Sequence, residues 1–192
     1  MVDRKATLYR MIARPKRLGS MAEKTMIREA TASDATSLAA LSIEVWLGTY
    51  IREGINDFFA DHALREFTAD RLSGRLQDQQ RTILVSQNVV GIDGMIELVA
   101  GASAPVAGCP DVEIATLYVQ PRHQGAGKGI ALLEAGLAHA RSSGHAGVWL
   151  AVNAQNTAAL TFYERHAFQH AGETHYEIED QRYLNYVMRR DL

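Results

Sequence analysis

Cysteine, long apolar runs and, over most of the chain, lysine are nearly absent from this sequence. The single cysteine, Cys109, excludes an internal disulfide framework and a zinc site built from several cysteines. No apolar run reaches the roughly 20 residues that a membrane-spanning helix needs. The first residues contain no apolar core of the secretory kind, so we expect a protein that is not exported and works in the cytoplasm.

Positive charge is concentrated at the start of the chain. Residues 1–24 hold seven lysines and arginines against two acids, whereas the remaining residues carry a net charge of −7 and one lysine, Lys128. A length of 192 residues suits one domain better than two. We therefore predict a basic N-terminal extension over residues 1–24 and one domain over residues 25–192. The extension is interpreted as a tail, and an arm that binds nucleic acid or a membrane surface is the alternative. The acidic body disfavours nucleic acid as a partner and suits a small cationic substrate better.

Apolar periodicity and turn signals predict strands and helices in the order β-αα-βββ-α-β-α-ββ. The predicted strands cover residues 25–30, 82–87, 97–103, 112–119, 147–152, 168–177 and 182–189, and the predicted helices cover residues 35–50, 57–76, 127–142 and 156–165. Asp93-Gly94 is expected to form a tight turn before the third strand, and Ile130, Leu133 and Leu137 to face inward from the third helix. Strand–helix–strand order over residues 112–152 predicts a parallel crossover, and hence an α/β fold with a mixed sheet.

A glycine-rich segment with the sequence QPRHQGAGKG, residues 120–129, lies between a predicted strand and a predicted helix. A Walker A loop would need glycine six residues before Lys128, where Arg122 stands, and serine or threonine after it. A dinucleotide-binding fingerprint would need glycine at position 130, which is Ile130. Both of these phosphate-binding loops are therefore excluded.

What remains is the pattern Arg122-x-x-Gly125-x-Gly127 at the opening of a helix. Glycines let the backbone curl around an anion with several N–H groups pointing inward, and the helix N-terminus adds partial positive charge. Arg122 and Lys128 are placed to add full charges. The turn fits a pyrophosphate; the alternative is an ordinary turn in which the glycines only ease packing.

Two motifs in this order resemble the GNAT superfamily of N-acetyltransferases. The first is LYVxPRxQGxGK over residues 117–128, and the second is WLxVNxxNxxAxxFYExxxF over residues 149–168. The resemblance extends over residues 26–192, with Ala167 where the family usually has glycine. It implies the GNAT fold, in which the two central parallel strands splay apart.

The resemblance also implies acetyl-CoA as the co-substrate, with its pantetheine arm in the gap between the splayed strands. The backbone of Leu117, Tyr118 and Val119 would line this gap, and the N–H group of Tyr118 or Val119 would polarise the thioester carbonyl. Asn156 matches a family asparagine that meets the cofactor, with a plain helix N-cap as the alternative. The residues implied to hold the pyrophosphate are Arg122, Gln124, Gly125, Ala126, Gly127, Lys128 and Gly129.

Acetyl transfer by direct attack in a ternary complex needs a neutral amine and a protonated leaving thiol. By resemblance Tyr163 is the candidate general acid, and a packed aromatic is its alternative reading. Glu113 is the candidate general base by resemblance, because it lies on the strand that leads to the site and such a glutamate often works through water in relatives. Strand alternation would place it on the same face as Leu117 and Val119. A solvated strand-end carboxylate is the alternative, and other candidates for the base are His175, Tyr176 and Glu44. The seven histidines show no metal-ligand spacing, so no metal site is expected.

Trp46 and Tyr50 are candidates to line the acceptor side, with core packing as the alternative for Trp46. Within the superfamily the chain looks most like bacterial polyamine (spermidine-type) N-acetyltransferases, so a small, cationic, polyamine-like amine is the expected acceptor. Two other functions stay open: acetylation of a protein or peptide, and non-catalytic binding of acetyl-CoA. The resemblance is also compatible with a homodimer. Carboxylates that can pair with a polycation are Glu44, Glu53, Glu97 and Glu113.

Overall fold

The computed structural model describes residues 26–51 and 54–192. The predicted extension, residues 1–24, lies outside the described residues, and so does the side chain of Tyr50. The strands are β1 (Met26–Glu29), β2 (Arg81–Gln87), β3 (Ile92–Ala100), β4 (Val112–Val119), β5 (Gly147–Asn153), β6 (Gln169–Ile178) and β7 (Gln181–Asp191). The helices are α1 (Ala35–Tyr50), α2 (Asp57–Glu66), α3 (Ala69–Gln77), α4 (Lys128–Ser142) and α5 (Thr157–Arg165).

The seven strands form one mixed sheet in the order β1-β2-β3-β4-β5-β7-β6. β4 and β5 are parallel and are connected through α4, and every other neighbouring pair is antiparallel. The predicted α/β fold with a mixed sheet is therefore confirmed. None of the helices in the described part of the chain is long and apolar enough to cross a membrane.

Helices cover both faces of the sheet. The face that carries Ile96, Leu98 and Leu150 packs against α4 and α5, and we call it the α4 face. The opposite face carries Val85 and Met95 and packs against α1 and α3, and we call it the α1 face. A third apolar cluster, around Trp46, Ala63, Phe67 and Ile178, joins α1 and α2 to the β6–β7 hairpin.

The second predicted helix is wrong in one respect, because residues 57–76 form two helices. Phe67 leaves the helical conformation, with φ −107° and ψ 65°. The Thr68 side chain then accepts a hydrogen bond from the N–H of Arg71 at 3.2 Å, which caps the start of α3. The element order is therefore β-ααα-βββ-α-β-α-ββ.

The turn predicted at Asp93-Gly94 is also wrong, since both residues lie inside β3. The hairpin instead turns at residues 88–91, where the side-chain oxygen of Asn88 accepts bonds from the N–H groups of Val90 and Gly91. An asparagine side chain that bonds the backbone two residues on makes such a turn. Asp93 is left fully buried.

The inward face of α4 differs from the prediction at one position. Ile130 is 41% exposed, whereas Leu132, Leu133 and Leu137 are buried against the sheet. Leu133 belongs to the large apolar cluster on the α4 face. The apolar side chains that pack α4 onto the sheet therefore start at Leu132, two residues after the start of the predicted stripe.

We expect Leu133→Ala to lower the free energy of unfolding by about 2–5 kcal/mol, because Leu133 is fully buried and its truncation leaves a cavity. Urea denaturation measures the change. The matched control is Ile130→Ala on the same helix, which removes a similar side chain from a partly exposed position. An equal loss for the two variants would contradict this packing.

Candidate active site

The parallel strands β4 and β5 meet at one ladder position only, Glu113 opposite Trp149. Past this position the two strands part, while β4 stays paired with β3 and β5 with β7. The predicted splay of the central parallel strands is therefore present. It leaves one backbone edge of the last residues of β4 without a neighbouring strand.

The hydrogen-bond phase of β4 shows which backbone groups face this gap. The N–H of Gln120 donates to the carbonyl of Asp93 at 2.9 Å, and antiparallel pairs alternate between bonded and non-bonded positions. By this alternation Tyr118 pairs with Met95 of β3, while the backbone groups of Leu117 and Val119 point into the gap. The Val119 carbonyl indeed accepts a bond from the Gln124 side chain at 3.2 Å.

The prediction that the backbone of Tyr118 faces the gap is therefore wrong, because its backbone groups pair with β3. Its side chain packs at the edge of the apolar cluster on the α1 face. Leu117 and Val119 keep their places at the open edge.

The glycine turn has the open geometry that an anion cradle needs. Gly125 and Gly127 have φ values of 75° and 80°, the left-handed region that glycine adopts at little cost. A Cβ atom added at either residue would meet nothing within 4 Å, so the space beside this backbone is open. Gly127 is the N-cap of α4, whose first N–H groups have no partner within the helix. These features fit the diphosphate of coenzyme A.

Lys128 does not offer its charge to this cradle in the way the sequence suggested. Its ammonium Nζ lies 2.6 Å from Asp93 Oδ2, and both side chains are buried. Ser86 and Asn88 also donate hydrogen bonds to the Asp93 carboxylate. Burial alone would raise the pKa of Asp93, but the bonds from Lys128, Ser86 and Asn88 lower it below its usual value. Lys128 therefore presents its backbone N–H to the turn, and its side chain ties α4 to β3.

Arg122 lies at the surface beside the turn. Its Nη2 is 3.2 Å from Glu44 Oε1, and Gln120 donates to the other oxygen of Glu44 at 2.7 Å. The Arg122 side chain is 69% exposed, and an ion pair that open to water is weak. Its guanidinium is therefore near the turn and can exchange Glu44 for another anion.

A cleft of about 420 Å³ joins these elements. The end of α1, the turn after β4 and the start of α5 form its walls. The Asn156 side chain accepts a bond from the N–H of Ala159 at 3.1 Å, so Asn156 is the N-cap that the sequence offered as an alternative. It also lines the cleft, and its contact with the cofactor stays a prediction. The lining residues are Val45, Gly48, Thr49, Pro121, Gln124, Gln155, Asn156, Thr157 and Ala158.

Tyr163, on α5, is buried in the apolar cluster on the α4 face. Its ring makes edge contacts with Phe162 and Phe168, at centroid distances of 5.3 and 5.4 Å. Burial raises the pKa of its hydroxyl above the usual value for tyrosine. The phenol therefore keeps its proton at neutral pH. Ala167, which follows α5, adopts a φ of 63°, a conformation more typical of the glycine found in the family.

Glu113 does not share a face with Leu117 and Val119, and this part of the prediction is wrong. The pairing of β3 with β4 shifts between Glu97/Thr116 and Leu98/Ile114, which leaves Ala115 as the extra residue of a β-bulge. The bulge reverses the alternation, so Glu113 faces with Thr116 and Tyr118 on the α1 face. Burial raises the pKa of Glu113; the nearby Arg81 lowers it and Glu97 raises it, and the net shift is upward.

Glu97 is not available to pair with a polycation, contrary to the expectation from the sequence. Its carboxylate is 1% exposed and bonds Arg81 at 2.6 Å and Arg75 at 3.3 Å. Thr116 lies 3.4 Å from the same carboxylate. The charge of Glu97 is therefore compensated inside the protein. Glu53 lies outside the described residues.

Trp46 lies in the core and does not line the cleft, so its assignment to the acceptor side is wrong. Its side chain is 3% exposed, packs within 4.9 Å of the His62 ring and hydrogen-bonds Tyr176. Tyr50 ends α1, close to Thr49 of the cleft, but its side chain lies outside the described residues.

Sequence reasoning missed the anchoring role of Asp93, and it missed the pairing of Glu44 with Gln120 and Arg122 beside the cleft. Asp93-Gly94 resembles a turn signal, which concealed a buried carboxylate. A signal was available in Lys128, because a lysine in the first turn of an otherwise apolar helix needs a partner when it is buried.

Comparisons with known proteins show the family of this chain. The model of the acetyltransferase (GNAT) family matches residues 49–168. An uncharacterized N-acetyltransferase of Mycobacterium tuberculosis is 29% identical over 160 residues, which cover 83% of this chain and 99% of that protein. A mycothiol acetyltransferase of Thermobispora bispora is 33% identical over 129 residues, 65% of this chain and 42% of that protein.

Solved structures show the same fold. The PaiA N-acetyltransferase of Thermoplasma acidophilum, in complex with coenzyme A, superimposes with a TM-score of 0.70. The two sequences are 19% identical, and the match covers 88% of this chain and 99% of that one. At this identity the likeness concerns the fold alone.

We expect Asp93→Asn and Lys128→Met, each alone, to lower the free energy of unfolding by about 3–5 kcal/mol, because each leaves a buried charge without its partner. Each should also weaken coenzyme A binding, since the pair anchors the first turn of α4. The double variant removes both charges and should recover most of both losses. Denaturant unfolding and calorimetric titration with coenzyme A measure the two effects; losses that simply add would contradict the pairing.

Proposed function

This chain belongs to the acetyltransferase (GNAT) family and is an acetyl-CoA-dependent N-acetyltransferase, and we propose that it acetylates the primary amine of a small cationic molecule. The observation that carries the acceptor class is the carboxylate of Glu113. It is half-buried on the α1 face beside the gap and forms no ion pair within the described residues. Outside residues 1–24 the chain also carries a net charge of −7.

Acetyl-CoA supplies an acetyl group that is already activated as a thioester. The chain contributes binding and orientation. Amides from Gln124 to Gly129 are proposed to hold the diphosphate at the start of α4, and the Leu117 and Val119 backbone to hold the pantetheine arm along the open edge of β4. A backbone N–H at this edge is a fixed donor for the thioester oxygen, and such a donor is worth roughly 3 kcal/mol in other acyl-transfer enzymes.

Glu113 is proposed as the general base. An alkyl ammonium has a pKa near that of lysine, about 10, so the acceptor must lose a proton before it attacks. Because burial raises the pKa of Glu113, its carboxylate is a better proton acceptor than an exposed glutamate. Glu113 also stands at the last contact between β4 and β5, where the gap begins.

Tyr163 is proposed to hold a proton at Oη for the departing sulfur. It comes from α5, whose first turn lines the same cleft. A phenol with a raised pKa gives up its proton reluctantly, whereas the thiolate of coenzyme A is expected to have a pKa of about 8–9 by analogy with cysteine. Tyr163 therefore acts chiefly as a hydrogen-bond donor that stabilises the thiolate as it forms.

The comparisons do not support the narrower assignment to polyamines. The proposed acceptor class is therefore small cationic amines in general. The mycothiol acetyltransferase among the relatives favours a small-molecule acceptor over a protein. We also propose a cytoplasmic enzyme that does not bind nucleic acid. The single cysteine suits a reducing compartment, and the acidic composition of residues 25–192 disfavours nucleic acid. A homodimer stays a prediction.

Thiol release from acetyl-CoA should be measured with the purified protein and a panel of polyamines, amino acids, aminoglycosides and peptides. The proposal predicts turnover with small cationic amines and little with peptides. Faster turnover with peptides than with small amines would contradict the proposal and assign peptides as the acceptors. Coenzyme A binding without turnover of any amine would instead indicate a binding module.

Tyr163→Phe keeps the ring between Phe162 and Phe168 and removes only the hydroxyl. We expect kcat to fall about 100-fold or more while the Kd for coenzyme A stays unchanged. Steady-state kinetics and calorimetric titration measure the two quantities. Tyr186→Phe, at the edge of the same apolar cluster, is the matched control. Unchanged turnover in Tyr163→Phe would remove this residue from the mechanism.

The pH dependence of kcat/KM tests Glu113. A base works only when deprotonated, so activity should rise with pH through the pKa of Glu113, above the usual range of a glutamate because burial raises it. Glu113→Gln should lower kcat/KM and abolish the rise of the pH profile through the pKa of Glu113. Only the rise due to deprotonation of the amine should remain. Glu134→Gln, at an exposed position of α4, is the control. If the low-pH rise in kcat/KM persists in Glu113→Gln, another residue is the general base.

A further inference from the structure

The connection between β3 and β4, residues 101–111, folds across the sheet. Its ends are tied together by a hydrogen bond from the N–H of Ala102 to the carbonyl of Asp111, 2.9 Å long. Between these ends the segment reaches β5, β7 and β6, strands that come much later in the chain. We call residues 101–111 the strap.

Three contacts trace the path of the strap. Over β5, a Cβ atom placed on Gly147 would come within 2.6 Å of Pro110. Over β7, the Arg189 guanidinium donates a hydrogen bond to the carbonyl of Gly108. Over β6, a Cβ atom on Gly172 would come within 2.7 Å of Val106. The strap therefore lies in close contact with three successive strands.

All three contacts lie on the α1 face, the face of Glu113. Trp149 pairs with Glu113 in β4 and with Arg189 in β7, so the three side chains form one row across the sheet. Gly147 has the same parity as Trp149 along β5, and Gly172 pairs with Val187, two residues from Arg189. The strap thus crosses the row in which the candidate base stands.

Trp149 is the buried centre of this row. Its side chain is 4% exposed, and its indole N–H has no hydrogen-bond partner among the described residues. A buried donor without a partner indicates a group or water that completes it. The strap itself carries no charged side chain from Gly101 to Pro110, so it offers this region an apolar wall.

We propose that the strap is one wall of the acceptor site beside Glu113 and Trp149, and that Arg189 is the positioning residue that holds the strap in place. This inference rests on the proposed function. Without the bond from Arg189 the strap keeps no side-chain hydrogen bond to β7 among the described contacts, and water gains access to the end of the gap at Glu113. The wall also limits the bulk of the amine that can approach Glu113.

Cys109 gives a direct readout, because it is the only cysteine of the chain and lies in the strap. Burial raises the pKa of its thiol, and the nearby Arg189 lowers it. Release of the strap should speed the reaction of the thiolate with a disulfide reagent, and rates are compared at a pH where the thiol is fully ionised, because Arg189→Gln also removes a charge that favours the thiolate. Arg189→Gln removes the anchor, and Gly172→Ala pushes Val106 away. The matched controls are Arg182→Gln on the same strand, whose ion pair with Glu177 is exposed, and Gly74→Ala, where a Cβ meets nothing.

We expect Arg189→Gln and Gly172→Ala to raise the limiting labelling rate of the fully ionised Cys109 about fivefold or more, with both controls at the wild-type rate. Hydrolysis of acetyl-CoA without amine, followed by loss of thioester absorbance, should rise in the same two variants, while the Kd for coenzyme A stays within about twofold. Wild-type labelling rates would overturn the anchoring role of Arg189. Faster labelling with unchanged hydrolysis would overturn the placement of the strap at the acceptor site.

Failure of the wild-type protein to bind coenzyme A would remove the proposed function, and with it the acceptor site. The labelling rates would still decide whether Arg189 holds the strap, so the two failures are distinguishable.

Discussion

The parting of β4 from β5 after one ladder position is the constraint on which the rest of this structure depends. β5 diverges from β4 together with β7, with which it is paired over seven positions. β4 in turn is held by β3 and carries the bulge at Ala115, and a bulged strand bends locally. An open backbone edge in the middle of a sheet is costly unless something else satisfies it. In this molecule the edge opens toward the cleft, where an amide-bearing ligand can complete it.

The buried pair of Lys128 and Asp93 fixes the other half of the cleft. A cation in the first turn of a helix is poorly placed with respect to the helix dipole, and the carboxylate of Asp93 offsets this. Since Ser86 and Asn88 bond the same carboxylate, the network joins β2, β3 and α4. The glycine turn therefore lies between two rigid elements, β4 and α4. Its amides are already oriented toward the anion site before an anion binds.

Much of the fold could be predicted from the sequence because its signals are local. The bounds of β4 and α1, the glycine turn and the cap at Asn156 follow from apolar periodicity and capping chemistry. The face of Glu113 could not be predicted, because one extra residue at Ala115 reverses the alternation and leaves no local sign. The predictions for Trp46 and Asp93 failed for a related reason, because burial of an aromatic ring or a carboxylate depends on partners that are distant in sequence. The partner of Trp46 is Tyr176, and the partner of Asp93 is Lys128.

The most direct measurement is a crystal structure of the protein with coenzyme A. The account predicts diphosphate oxygens about 3 Å from backbone nitrogens between Gly125 and Gly129, and a pantetheine amide bonded to Val119 in place of the Gln124 side chain. Coenzyme A bound elsewhere, or β5 paired with Leu117 and Val119 so that the gap is closed, would contradict it.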